Sequence, residues 1–167
     1  LVRVRHGQIT VEQYWDDLLK GLPNALDSRG RMGFEAPVLW GDTYWGGALF
    51  FLRADVSIRE RTQGARSLDD ALLAIHANSN IRMSMSAEEL LKMGDEATGG
   101  SELSDLFDEL SDDEEEFDLT QFFEKLGVSK NPAGIVFDDQ APGAGMRKAM
   151  LSPAEEPQAT TFNPPTD

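Results

Sequence analysis

Tyr44 is the residue whose place in the sequence most suggests chemistry. It stands at the head of a long apolar run, directly after a stretch punctuated by Pro23, Gly30, Gly33, Pro37 and Gly41. A phenol that opens a helix can project into a cleft beside the helix N-terminus. There the dipole and the phenolic hydrogen together stabilise an oxyanion. The competing reading is packing, since tyrosines at helix starts are common packing residues. Around it, Tyr14, Trp15, Trp40 and Trp45 supply ring surface that could line a pocket, although aromatics at helical spacing more often build a core.

Other candidate chemistry is better explained by structure. His6 and His76 are the two histidines. With no H-E-x-x-H pair they read as structural or surface residues, and no metal ligand is assigned. Asp112-Asp113-Glu114-Glu115-Glu116 lacks the alternating spacing and turn glycine of a calcium loop. It reads as a solvated acidic linker, because like charges repel and stay wet. Ser67 and Ser86 have no partnered histidine, so capping accounts for both. Gly46-Gly47 and Gly99-Gly100 lack the lysine and threonine of a phosphate loop and read as close packing or caps. The absence of cysteine excludes disulfides, thiolate zinc sites and cysteine nucleophiles. No cofactor is implied by these residues.

The elements that must hold these residues are mostly helices. At 167 residues and 40% hydrophobic content the chain can bury the core of one ordinary domain. A formal charge of −15 argues against phosphate-backbone binding, so no nucleic-acid partner is expected. No apolar run approaches a membrane span. The opening Leu1-Val2-Arg3-Val4-Arg5 reads like mid-domain sequence, and a truncated or processed chain is the working expectation.

Thr10-Val11-Glu12-Gln13 is a capping-box signature. It starts a helix carrying Tyr14, Trp15, Leu18 and Leu19, which Gly21 and Pro23 stop. Residues 22 to 43 read as a long ordered loop. A longer helix is predicted from about Tyr44 to Thr62, with Leu49, Leu52, Val56, Phe51 and Ile58 suited to burial and Gly64 as its left-handed cap. Further helices are expected from Ser67-Leu68 to about Ile75, after Ser86 over Leu90, Leu91 and Met93, after Gly99-Gly100-Ser101 over Leu103 to Leu110, over Leu119 to Leu126 closed by Gly127, and over Met146 to Met150. Ile135-Val136-Phe137 is the one strand-like run after the opening residues. The sequence therefore divides into a mainly α unit at 1–151, with little strand, and a disordered tail at 152–167.

Tyr44-Trp45-Gly46-Gly47-Ala48-Leu49 followed by Asp55-Val56-Ser57-Ile58-Arg59-Glu60-Arg61-Thr62 resembles a stretch of the glycyl-aminopeptidase-type metallopeptidases, family sixty-one, within the gluzincins. Arg66-Ser67-Leu68-Asp69-Asp70-Ala71-Leu72 is similar to that family's serine-leucine-aspartate-aspartate helix start. Gly7-Gln8-Ile9-Thr10 looks like its glycine-x-isoleucine-threonine element. The similar order of helices covers roughly residues 1 to 150. The resemblance implies the C-terminal helical-bundle lobe of a thermolysin-like catalytic domain. The family's zinc-binding H-E-x-x-H helix, which normally precedes this region, is absent from this sequence.

In that family a tyrosine-x-lysine-glycine element supplies the phenol that hydrogen-bonds the tetrahedral oxyanion, and it falls on Tyr44. Gly46 stands where the element has lysine. The resemblance thus implies a zinc aminopeptidase parent acting on peptides, with Tyr44 as the oxyanion donor and Trp40 and Trp45 as substrate-cleft candidates. The zinc and its ligands would come from an upstream catalytic half, so this chain alone should be inactive. Relatives of the family are often exported from bacteria. The alternative is a noncatalytic binding or scaffolding module derived from the same lobe.

Overall fold

The computed structural model describes residues 1–27, 40–78, 84–111 and 117–152. The acidic run at 112–116, the middle of the Gly/Pro-rich stretch at 28–39 and the tail from 153 onward lie outside the described residues.

Helices dominate, as the sequence periodicity predicts. In chain order they are α1 (Val2–Arg5), α2 (Val11–Gly21), α3 (Pro23–Asp27), α4 (Trp40–Arg61), α5 (Leu68–Asn78), α6 (Ala87–Thr98), α7 (Glu102–Ser111), α8 (Leu119–Lys125) and α9 (Ala144–Leu151). Between α8 and α9 lie β1 (Val128–Asn131) and β2 (Gly134–Phe137), which pair antiparallel with Val128 opposite Phe137.

The local start signals operate as read. Thr10 Oγ1 accepts the Gln13 amide at 3.1 Å while Gln13 Oε1 accepts the Thr10 amide at 2.9 Å. Ser86 and Glu89 form the same reciprocal box. Gly99, at φ +74°, caps α6 in the left-handed conformation that a Cβ disfavours.

Four boundaries differ from expectation. Residues 23–27 are helical rather than loop, because Pro23 occupies a first-turn position where its missing N–H costs nothing. Helix α4 begins at Trp40, one turn before Tyr44. Strand β1, with only Val128 buried, carries no apolar alternation of its own and is defined by pairing with β2. Helix α6 runs on to Thr98, past the apolar run that signals it.

Among the described residues, two apolar clusters form the interior. The first gathers Trp15, Leu18 and Leu22 with Leu49, Leu52 and Val56 of α4, Phe122, Phe123 and Leu126 near α8, Val128 of β1 and Met150 of α9. The second joins Ala54 of α4 to Leu68, Ala71, Leu103 and Leu106. Helix α4 therefore faces a core on two sides, which explains why it is apolar around much of its circumference.

Buried carboxylates fasten the helices to one another. Asp55 of α4 pairs with Arg59 at 3.0 Å and accepts the Leu68 amide at 2.8 Å, capping α5 from a neighbouring helix. Asp95 of α6 accepts the Leu103 and Ser104 amides at 2.8 and 3.0 Å and the Ser104 hydroxyl at 2.6 Å, capping α7 in the same way. Each satisfies amides that a helix start leaves unpaired, where water cannot reach them. In α5 the Ser67 hydroxyl donates to Asp70 instead of accepting from the helix. At the C-terminal end, buried Arg147 donates to the Leu126, Gly127 and Asp138 carbonyls and ion-pairs with Asp139.

Candidate functional site

The aromatic group around Tyr44 divides between interior and surface. Trp15 is fully buried in the first core, and Tyr14 meets it edge-on at 5.3 Å. Tyr14 and Trp45 both pack against that core. Tyr44 is 57% exposed, which places its ring at the surface rather than in the interior. The Trp40 side chain lies outside the described residues, so its cleft assignment has no geometry to set beside it.

Tyr44 sits in the second turn of α4. The dipole's influence falls off within the first turn, so the helix N-terminus contributes little at this position. What the fold supplies is rigidity. Leu49, Leu52 and Val56 anchor the following turns of α4 in the first core, and Ala54 anchors them in the second.

Trp45 is half-buried, with its ring laid on α2. A Cβ at Gly21 would lie 2.0 Å from both Cη2 and Cζ2 of that ring. Only glycine admits so close an approach. Gly21 belongs to α2, whose C-cap Leu22 keeps right-handed helical angles. The residue ends α2, as the sequence suggests, and it also seats an indole. Nothing near Gly21 in sequence signals this, because its partner is on another helix. The Tyr44 and Trp45 rings meet edge-to-face, with centroids 5.0 Å apart and planes at 86°.

Tyr14 is the other phenol. Burial pushes its pKa up to about 12, and the negative field of Asp55 adds to the shift. It stays neutral and can act as a donor at any physiological pH.

His6 and His76 are both exposed, as read. Among the described residues, no group of three or more His, Cys, Asp or Glu could hold a metal ion. The zinc that the resemblance implies does not fit the residues described here. No chemical step through a metal is assigned to them. No described helix is long and apolar enough to cross a membrane.

An open groove of about 450 Å³ lies elsewhere, lined by Val11, Phe137, Leu151 and Ser152 with Asp139, Arg147 and Lys148. Asp139 pairs with both Arg147 and Lys148, so its fixed charges already have partners within the chain. The chain matches no protein-family model, no curated protein and no solved structure.

Proposed function

We propose that this chain is the helical lobe of a glycyl-aminopeptidase-like zinc peptidase, in which Tyr44 donates a hydrogen bond to the oxyanion formed at the scissile carbonyl. The observation that carries the reading is the place of Tyr44 at the surface of a helix anchored in two cores. A donor carried by a rigid element is what electrostatic stabilisation of a developing charge requires. The motif from Tyr44 to Leu72 that carries the resemblance occupies α4 and the start of α5, and its Asp55 ties the two together.

Zinc, its ligands and the general base would come from sequence outside this chain. Peptide is the substrate class, and the other half of the catalytic domain is the partner. The noncatalytic module is the competing outcome of the same test.

The test begins with the complete reading frame. An H-E-x-x-H upstream supports the peptidase, and its absence supports the module. In a complete zinc-loaded enzyme, Tyr44→Phe should lower kcat by roughly 10²–10³-fold, with KM nearly unchanged, because the donor is needed more in the transition state than in the ground state. Phenylalanine keeps the ring, so the fold should survive. Unchanged turnover in that folded variant removes the catalytic role.

A further inference from the structure

Helix α5 is apolar on two faces, and the second core accounts for one of them. Leu68 and Ala71 are buried in that core. Ala71 and Ile75 also approach Gly94 of α6, where a Cβ would lie 3.2 Å from Ala71 Cβ and 3.4 Å from Ile75 Cδ1. The outward face is made by Asp69, Leu72, Leu73 and His76, which the i, i+3, i+4, i+7 spacing places together. Leu72 is 43% exposed, Leu73 is 54% exposed, and His76 is exposed as well. Polar residues ordinarily hold such a face, and a single exposed leucine on it needs no explanation. Two side by side at its centre do.

The order of these four residues indicates what covers them. From one end to the other it runs carboxylate, leucine, leucine, imidazole. Consider two copies of α5 laid antiparallel about a two-fold axis between residues 72 and 73. Position 69 then meets 76, and position 72 meets 73, so every contact occurs twice. Leucine covers leucine, and Asp69 meets the partner's His76. An imidazole offers an N–H donor whether or not it is charged, and a carboxylate can accept several donors. Asp69 takes Arg5 Nη1 of α1 at 2.8 Å while 28% of its side chain stays exposed, so Arg5 does not enclose it. On the flank, Arg66 and Asp70 pair with each other at 3.1 Å. An in-register parallel pair would instead set Asp69 against its own copy, which like charges oppose.

We propose that this chain forms a symmetric dimer through the outward face of α5, antiparallel about an axis between Leu72 and Leu73. The dimer does not depend on the oxyanion role of Tyr44. Its contact face is short, which makes association weak, with a Kd of roughly 10–100 µM. The charge of −15 on each copy opposes association, and moderate salt screens it.

Sedimentation equilibrium in moderate salt, at several times that Kd, should give a mass rising toward twice the 18.4 kDa of one chain. Leu73→Glu sets two carboxylates beside the axis and should return the mass to that of one chain. Its fold should survive, since Leu73 is half exposed and glutamate is a good helix former. An unchanged far-ultraviolet circular dichroism spectrum checks this. A wild-type chain that keeps the mass of one copy overturns the proposal and leaves the leucines to a different partner. A folded Leu73→Glu chain that still dimerises overturns it too.

The chain has no cysteine, so introduced thiols read the register directly. In the antiparallel pair the two copies of position 76 lie about 10 Å apart along the helices, beyond disulfide reach, whereas 69 and 76 are opposed. Asp69→Cys mixed with His76→Cys should therefore give a mixed disulfide under mild oxidation, recognised by its mass, while His76→Cys alone should stay uncoupled. Coupling of His76→Cys to itself, with no mixed product, would mean a parallel pair and overturn the proposed arrangement.

Discussion

Tyr14 and Tyr44 carry the same phenol in different surroundings, and Tyr14 should hold its proton more tightly than a phenol in water. Burial first, and then the Asp55 carboxylate, raise the Tyr14 pKa to about 12, partly opposed by Arg5. A phenol in the unfolded chain titrates near 10. The folded state thus holds this proton more tightly. Its contribution to stability is complete below pH ~10 and is lost as pH rises toward about 12. In Tyr44→Phe, where Tyr14 is the remaining phenol, phenolate absorbance should rise with a midpoint near 12, and a midpoint at the ordinary value would mean the ring is not enclosed as described. Tyr14→Phe should flatten the alkaline fall in stability. The environment of each phenol was not legible beforehand. Both tyrosines precede a tryptophan, and local sequence alone does not tell the half-buried one from the exposed one. Burial is decided by which helices cross above each ring.

Helix ends show how a short-range hydrogen bond differs from a long-range one. Asp95→Ala removes the acceptor of two amides and a hydroxyl in a buried place. It should destabilise the chain by about 1–3 kcal/mol, read as a lower urea midpoint at constant slope. Lys125→Ala, which breaks an exposed pair with Glu60, should cost less than about 1 kcal/mol. Equal losses from the two would mean that α7 does not depend on its remote cap. Gly94→Ala gives a second test of how the helices meet. The added Cβ would lie 2.4 Å from Leu103 Cδ1 and 3.2 Å from Ala71 Cβ. The crowding should outweigh the roughly 1 kcal/mol of helix propensity that alanine gains, so the variant should be less stable. The boxes at Thr10 and Ser86 were readable because both partners lie within three residues. The caps supplied by Asp55 and Asp95 were not, since their amides lie 13 and 8 residues away and meet them only after folding. Strand β1 was hidden for the same reason: Val-Ser-Lys-Asn becomes a strand when Gly-Ile-Val-Phe lies beside it. At the site, Tyr44 was found through motif and position, whereas the seat at Gly21 is a contact between helices that no spacing announces.

Across the whole molecule, an excess of 15 negative charges repels itself. Several arginines are committed to local pairs, including Arg5 with Asp69, Arg53 with Glu109 and Arg59 with Asp55. Moderate sodium chloride should therefore raise the thermal midpoint, because it screens the diffuse repulsion more than it weakens enclosed pairs. A falling midpoint would show that exposed ion pairs dominate. Helix α4 has a different kind of effect. It forms a wall of both apolar clusters, so neither can open without exposing the other's side chains. Melting should then be a single event rather than two. In Trp40→Phe, the fluorescence of Trp15 and Trp45 reports on the first cluster, while far-ultraviolet circular dichroism reports on every helix. The two signals should trace one superimposable transition. The central amides of α4 should also exchange with solvent only through global opening, making them the slowest in the protein.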